Sequence, residues 1–251
     1  MNYARILCNA LTIGEEMLRS GAEVSRVEDS IIRICSAYGA ERVDVFSITS
    51  TMVASCDFEG KTYTQTRRIR SHKTDLSVLD RLNNLSRKIC TEKPRQEEVE
   101  SDLAEIFSYK GYPFILRILG WALTAGSFTV FFGGMILDGV FSAIIGAFLM
   151  ICVNFVEQKG FNKVYSNFIS SFFVSILAYA LEWSGTGASS DKIIIGNIML
   201  LIPGLALTNS LRDLIGGDIV TGALRFCEAC LVALAIAGGY IITVFLTGGV
   251  I

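Results

Sequence analysis

Histidine is almost absent from this chain, which has a single one among its 251 residues. That residue, His72, lies in "RRIRSHKTD", and no G-x-S-x-G sequence supplies a nucleophile for a Ser/His/Asp hydrolase. We therefore interpret His72 as part of a solvated basic loop. The chain also lacks a G-x-x-x-x-G-K-[ST] loop, which argues against nucleotide hydrolysis as an energy source.

Metal-binding patterns are missing as well. The seven cysteines are an odd number that cannot all pair within one chain, and reduced thiols are typical of a cytoplasmic compartment. Cys227 and Cys230 form C-x-x-C, but no second Cys or His pair completes a zinc set. We expect neither a metal nor a cofactor.

Charge is scarce in the second part of the chain. Residues 1–112 hold 16 of the 22 Lys and Arg and 17 of the 24 Asp and Glu, which leaves 13 charged residues for the remaining 139. This asymmetry predicts a soluble domain at 1–112 and a membrane domain at 113–251. The net charge of -2 and the lack of a basic run argue against nucleic acid as a partner.

The soluble domain is expected in the cytoplasm, because Glu15 and Glu16 interrupt the opening residues before any apolar run of signal-peptide length. Its pattern predicts an α+β fold of helices around a β-hairpin. The first predicted helix stops at Gly21, and the second is capped by Ser25 and runs to Gly39. Two strands follow at about 43–56 and 61–70, with Gly60 in the turn between them. Two more helices are predicted at about 75–89 and 96–109.

The membrane domain contains five apolar segments, each near the ~20 residues that a helix needs to cross a bilayer. These segments predict a multi-pass protein of the plasma membrane. The basic residues near the ends of the spans place the N-terminal domain in the cytoplasm and the C-terminus outside the cell. The residues on the cytoplasmic side are Lys110, Arg117, Lys159, Lys163 and Arg212, and the one on the other side is Lys192. The predicted spans are about 114–132, 135–155, 165–183, 192–209 and 219–246.

Small residues at helical spacing mark packing faces on two of these spans, with Gly139, Ser142 and Gly146 on the second and Ser171 and Ser175 on the third. The count of spans has its own consequence. Inverted repeats within one chain give an even number, so five spans suggest half of a transport unit that meets another copy or a different subunit.

The stretch "LIPGLALTNSLRDLIGGDIVTGALRFCEAC" places ionisable groups in and between the last two spans. Pro203 and Gly204 predict a break in the fourth span. Asp218 is a good N-cap for the fifth, and Thr221, Arg225 and Glu228 follow it on one helical face.

Two interpretations of these charges remain open. A charge at the bilayer centre costs at least about 2.5 to 3.5 kcal/mol, so the groups face the bundle interior, a partner or water, as they do where transporters hold a polar solute. Alternatively, Arg225 and Glu228 form a structural pair while Arg212 and Asp213 belong to a cytoplasmic loop. Near the N-terminus, "GAEVSRVED" likewise fits a capping and ion-pair arrangement with no further role.

Two regions carry a resemblance to a known family. The N-terminal "GEEMLRSGAEVSRVEDSIIRI" and the later "LIPGLALTNSLRDLIGGDIVTGALR" look like the signature regions of the threonine/serine exporter family. The resemblance covers essentially the whole chain. In the first region the matching residues are Glu15, Gly21, Glu23, Arg26 and Glu28; in the second they are Pro203, Gly204, Thr208, Asn209, Arg212, Asp213, Gly217, Asp218 and Arg225.

The resemblance implies an exporter rather than an enzyme. The family's long form has about ten spans after a cytoplasmic domain, whereas this chain is similar to the larger subunit of the split form, which works with a small membrane partner. The substrates implied are threonine and serine or, in some split systems, dicarboxylates such as succinate. A homo-oligomer is the alternative to the small partner.

We thus expect a secondary exporter driven by an ion gradient, in which Asp213, Asp218 and Glu228 could titrate. The planar guanidinium of Arg225 would hold a substrate carboxylate, and Thr208 and Asn209 would recognise a hydroxyl or amino group. Two other hypotheses are a membrane-anchored cytoplasmic enzyme or sensor, and a regulatory subunit whose partner carries out the transport.

Overall fold

The computed structural model describes residues 2–70, 72–109 and 111–248. Lys110 and the last three residues, which enter the orientation argument, lie outside the described residues. The elements in chain order are α1 (Tyr3–Arg19), α2 (Val24–Ala37), β1 (Arg42–Ile48), β2 (Thr51–Phe58), β3 (Lys61–Arg68), α3 (Leu76–Glu92), α4 (Gln96–Ser108), α5 (Phe114–Phe131), α6 (Ile136–Gln158), α7 (Lys163–Trp183), α8 (Ser190–Ile198), α9 (Gly204–Ile215) and α10 (Ile219–Leu246).

The chain forms two compact units. The first unit comprises residues 1–111 and 205–226, and the second comprises 112–204 and 227–251. The first unit therefore includes most of α9 and the first eight residues of α10 as well as the N-terminal helices and sheet.

The N-terminal helices of the first unit form where the apolar spacing predicted them. Asn2 caps α1 by accepting the Arg5 N–H at 3.2 Å, and Gly21 ends the turn after it with φ of +100°. The predicted cap of α2 is wrong, because the helix begins at Val24 and Ser25 lies inside its first turn. The buried faces of α1 and α2 pack together with those of α3 and α4 in one apolar core.

The sheet has three strands where a single hairpin was predicted. The segment predicted as one strand from 43 to 56 is divided into β1 and β2 by a turn at Thr49–Ser50. Threonine and serine also occur within the strands on either side, so the sequence does not mark this turn. β2 and β3 are joined at Glu59 and Gly60, whose consecutive positive φ values, 49° and 74°, are those of a type I′ turn. The strand order is β1-β2-β3, antiparallel throughout.

Four helices of the described chain are long and apolar enough to cross a membrane: α5, α6, α7 and α10. They confirm four of the predicted spans. The fourth predicted span, 192–209, is not one helix, because α8 ends at Ile198 after 9 residues and α9, of 12 residues, begins at Gly204. Pro203 has no N–H to continue the α8 hydrogen-bond ladder, so the predicted break is confirmed.

Close helix contacts in the second unit depend on small residues. A Cβ added to Gly126 of α5 would lie 2.8 Å from the Gly139 carbonyl of α6, and one added to Gly196 of α8 would lie 2.0 Å from Thr129 Oγ1. The Ser142 hydroxyl accepts hydrogen bonds from Thr129 Oγ1 at 2.6 Å and from Asn197 Nδ2 at 2.8 Å.

These contacts between α5, α6 and α8 are made by uncharged groups, while the buried carboxylate of Asp138 of α6 accepts the Ser189 N–H at the N-terminus of α8 at 2.9 Å. On α7, the Ser171 hydroxyl donates to the Ile236 carbonyl of α10 at 2.7 Å. The packing faces predicted on α6 and α7 are confirmed by these contacts.

Candidate functional site

The two signature regions meet in the first compact unit. The connection from α1 to α2, residues 20–23, lies against α9 and the beginning of α10. Four side chains of the later region reach this connection or the helix start that follows it, namely Asn209, Arg212, Asp213 and Arg225. Residues about 190 positions apart in the chain therefore form one polar cluster, which we call the motif junction.

Asp213 lies at the centre of the motif junction. Its side chain is fully buried, and its two carboxylate oxygens have different partners. Oδ1 accepts the backbone N–H of Val24 at 3.3 Å, and Oδ2 accepts Arg225 Nη1 at 2.8 Å. Because Val24 is the first residue of α2, the carboxylate lies at the positive end of that helix dipole. A residue of α9 thereby supplies the cap that we had assigned to Ser25.

Arg225 is the cation of this buried pair. Its side chain is 11% exposed, and its second terminal nitrogen, Nη2, donates to the Ala22 carbonyl at 3.0 Å. A buried charge is tolerated when it is paired and hydrogen-bonded, and Arg225 meets both conditions. The structure thus pairs Arg225 with Asp213 of α9, twelve residues earlier in the chain.

A second layer of contacts surrounds the buried pair. Asn209 Nδ2 donates to the Gly21 carbonyl at 2.8 Å, and Arg212 forms an ion pair with Glu23. The Arg212 side chain is 62% exposed, so this outer pair is accessible to water, unlike the inner one. The outer pair is therefore expected to contribute less to stability.

The connection from α9 to α10 brings Asp213 and Arg225 together. Gly217 adopts φ of +97°, which reverses the chain within a few residues, and the Asp218 N–H donates to the Asp213 carbonyl at 2.9 Å. A Cβ at Gly222 would lie 2.8 Å from the Ser210 carbonyl, so only glycine lets the two helices approach this closely.

Glu28 of α2 marks a further contact of the N-terminal region. Its Oε1 accepts the backbone N–H of Ser47 at 2.7 Å. Partial burial raises the pKa of Glu28 above its ordinary value; the Ser47 N–H opposes the rise and the negative charge of Asp218 adds to it. Asp218 and Glu28, one from each signature region, are thus electrostatic neighbours.

The other residues singled out in the sequence are more dispersed. Glu15 approaches Arg67 at 3.9 Å, and Arg26 is exposed on α2. On the later region, Pro203 and Thr221 are buried, whereas Gly204, Thr208 and Glu228 are exposed. Glu228 belongs to the second compact unit.

Sequence reasoning missed the backbone contributions to the junction. The Val24 N–H and the Ala22 carbonyl bind the charged pair, yet neither depends on the side chain at its position. The sequence gives only an indirect indication of these contacts. Gly21 has no side chain, and the Glu23 side chain does not cap α2, so backbone groups of this connection need hydrogen-bond partners from elsewhere in the chain. Within the described ranges, no group of three or more His, Cys, Asp or Glu is placed to hold a metal ion.

A family model described as "Putative threonine/serine exporter" matches residues 9–247, which includes the whole motif junction. The chain belongs to the threonine/serine exporter family. This is a family of transporters and not of enzymes, and with its apolar helices the chain is a multi-pass membrane protein.

Curated relatives of two lengths are similar to the chain. "Threonine/serine exporter" of Corynebacterium glutamicum is 28% identical over 94% of this chain but only 50% of its own length. "Probable succinate transporter subunit YjjP" of Escherichia coli K12 is 22% identical over 92% of this chain and 91% of its own length. The chain thus spans about half the length of the first relative and nearly all of the second. No solved structure matches it.

Proposed function

We propose that this chain is the membrane subunit of a secondary exporter for small amino acids such as threonine and serine, or for small organic acids such as succinate. The family and the names of its relatives support export as the activity. The single observation that carries the proposal is the buried Arg225–Asp213 pair, because it joins both signature regions and its acidic member lies on α9, the helix that follows the break at Pro203 in the chain. Broken helices and buried charges are what transporters use to hold polar solutes.

The substrate carboxylate binds Arg225 in this proposal. Both terminal nitrogens of Arg225 already bind acceptors, so the incoming carboxylate takes the place of Asp213 at the guanidinium. This exchange preserves the charge balance of a buried cation. Asn209 and Thr208, on the preceding helix, recognise the hydroxyl or amino group of the solute, and Thr221 lies on the same helix as Arg225.

The proposal includes a membrane topology. We propose that α8 and the beginning of α9 together make a discontinuous fifth crossing, so that the chain crosses five times from a cytoplasmic domain at 1–112 to a C-terminus outside the plasma membrane. The basic residues near the helix ends, with Lys159 directly after α6 and Lys163 at the start of α7, support this orientation. Half-helices that end inside the membrane are the elements at which transporters bind ions and solutes.

An ion gradient supplies the energy. Asp213, Asp218 and Glu228 are the acidic groups of the later signature region and its helix that can bind a proton or a cation. Displacement of Asp213 from Arg225 by substrate frees a carboxylate that can then take up the coupling ion. Loading of substrate and uptake of the ion are thereby linked at one side chain.

A second chain completes the transporter. The Corynebacterium relative is about twice as long as this chain, and relatives of equal length are named as subunits. Both facts support a small membrane partner that supplies further spans, with a homo-oligomer as the alternative assembly.

Export from proteoliposomes tests the proposal. Vesicles containing the complex isolated from the native host are loaded with labelled threonine, serine or succinate, and efflux is followed with an imposed proton or sodium gradient. We expect efflux of at least one solute, accelerated by one gradient and abolished by Arg225→Leu at equal protein content. Efflux of none of the three, or efflux that Arg225→Leu leaves unchanged, contradicts the proposal.

A further inference from the structure

A group of exposed basic side chains lies at the end of β3 and in the connection that follows it. Arg68, Arg70 and Lys73 are exposed, and none of them forms an ion pair with another described residue. Ile69 is buried between the two arginines, which therefore lie on the outer side of this segment. We call Arg68, Arg70 and Lys73 the basic cluster.

The acidic residues beside the basic cluster already have partners. Glu15 approaches Arg67 at 3.9 Å, and Glu16 forms an ion pair with Arg19 at 2.6 Å. Asp75 caps α3, where its side chain accepts two backbone N–H groups of the first turn. The three positive charges of the cluster are therefore available for an anionic partner.

The basic cluster is bonded to the connection between α1 and α2. The Lys73 N–H donates to the Arg19 carbonyl at 2.9 Å. Three residues later in the chain, the Ala22 carbonyl accepts Arg225 of α10. Because three residues of extended chain span at most about 11 Å, the backbone of Lys73 lies close to the motif junction.

The contacts of the motif junction give this connection a direction along α9. The three contacts in chain order are Gly21 with Asn209, Glu23 with Arg212 and Val24 with Asp213. Each step back towards α1 is therefore a step back along α9, towards its start at Gly204. Arg19, which binds the backbone of Lys73, comes next in this direction. In the proposed topology the beginning of α9 is part of a membrane crossing, so the basic cluster lies on the side of the first unit that faces the bilayer.

The path of α10 supports the same placement. Its residues 219–226 belong to the first unit, and the helix continues from residue 227 as part of an apolar segment that is long enough to cross a membrane. Arg225 lies two residues, or about 3 Å, before this point. The cytoplasmic boundary of the bilayer is therefore expected near Arg225 and near the connection that its guanidinium binds.

We propose that the basic cluster binds the headgroups of anionic phospholipids at the cytoplasmic surface of the membrane. The inference rests on the proposed function and its topology, and it names the lipid class against which the first unit lies. Lysine and arginine beside a membrane are attracted by the negative surface potential of its anionic lipids, and a guanidinium can donate two hydrogen bonds to one phosphate. Because Lys73 is bonded to the connection that carries the motif junction, lipid binding holds that connection at the bilayer surface.

Photocrosslinking in vesicles tests the inference. A photoreactive residue is placed at His72 of the full chain, which is exposed beside the cluster, and the complex isolated from the native host is reconstituted in equal parts of phosphatidylcholine and phosphatidylglycerol. Mass spectrometry measures the yields of the two lipid adducts. We expect the phosphatidylglycerol adduct to exceed the other at least about fivefold at low salt. The excess should fall at high salt, because ions screen exposed charges.

Two matched variants test whether the charges of the cluster cause this excess. The first removes the cluster by Arg68→Gln, Arg70→Gln and Lys73→Gln. The control removes three exposed charges near the other end of α3 by Arg87→Gln, Lys93→Gln and Arg95→Gln. The first variant should lower the excess below about twofold, whereas the control should keep it.

Three results overturn the inference: no lipid adduct, equal yields of the two adducts at low salt, or an excess that the first variant keeps. The salt series uses the chain with its basic cluster intact, so it tests the inference even where the first variant does not fold. Efflux of threonine, serine and succinate is measured from the same vesicles. Efflux with equal adduct yields removes the lipid site but leaves the function, whereas an excess of the phosphatidylglycerol adduct without efflux of any of the three does the reverse.

Discussion

The motif junction and the junction of α5, α6 and α8 both bring helices into close contact, but by different means. In the second unit, glycines allow the contact and hydroxyl and amide groups close it, with Ser142 accepting from Thr129 and Asn197. In the first unit, a glycine at position 222 also allows close approach, but the contact is closed by a buried ion pair. Uncharged hydrogen bonds fix one arrangement, whereas an ion pair can exchange partners when another carboxylate or a proton arrives.

Removing one charge of the motif junction should have the largest effect on stability. Asp213→Ala leaves Arg225 buried without a counter-charge and the first turn of α2 without its acceptor. We expect a loss of about 3 to 5 kcal/mol in the free energy of unfolding, measured by denaturation in detergent micelles. Asp191→Ala, which removes an exposed partner of Lys192, should cost less than about 1 kcal/mol.

A double substitution separates charge burial from loss of contact. Asp213→Leu combined with Arg225→Leu removes both charges and should recover much of the stability lost in Asp213→Leu alone, since a buried ion pair can be replaced by apolar groups at little cost. Losses that simply add would mean that the two side chains stabilise the protein independently, against the pairing described above.

The second unit should fail through overpacking and not through charge. Gly196→Ala places a Cβ 2.0 Å from Thr129 Oγ1 and 2.8 Å from the Thr129 backbone nitrogen, which lies in helix α5 and cannot move alone. The expected loss is about 1 to 3 kcal/mol or more in the same denaturation experiment. Gly120→Ala, where a Cβ meets nothing within 4 Å, is the matched control and should be neutral or stabilising.

The sequence predicts the local features of this chain well and the contacts between distant residues poorly. Hydrophobic period and length sufficed for α1 and for four membrane helices, and Pro203 with Gly204 indicated the break. The turn at Thr49–Ser50 has no glycine, proline or asparagine, so the pattern predicts one continuous strand where the structure has two. The motif junction needs backbone groups at 22 and 24 to meet side chains about 190 to 200 residues later, and no local pattern encodes such a contact.

Function should be more sensitive than stability to the shape of the Arg225 side chain. Arg225→Lys retains the charge opposite Asp213 but replaces a planar fork with a single ammonium, so it cannot bind Asp213 and the Ala22 carbonyl with the same geometry. We expect export to fall at least about tenfold at equal protein level, because a charged hydrogen bond is worth about 1.5 to 3 kcal/mol. Near-normal export would mean that the substrate carboxylate binds elsewhere.

The smallest effect should appear as a pH dependence of stability that arises from Glu28, which the first unit partly buries and whose carboxylate accepts the Ser47 N–H. The pKa of Glu28 is raised above 4.5 in the folded protein, chiefly by burial. Its contribution to stability is therefore fully present below the unfolded pKa and is lost as pH rises through the raised one. Glu28→Gln keeps an acceptor for the Ser47 N–H but cannot ionise, so the stability of the native protein relative to this variant should fall as the pH rises through the raised pKa of Glu28 in parallel denaturation series. Asp218→Asn removes the neighbouring negative charge and should make that fall smaller. A difference that stays constant or rises with pH would show that the ionised form of Glu28 is the one that the fold stabilises.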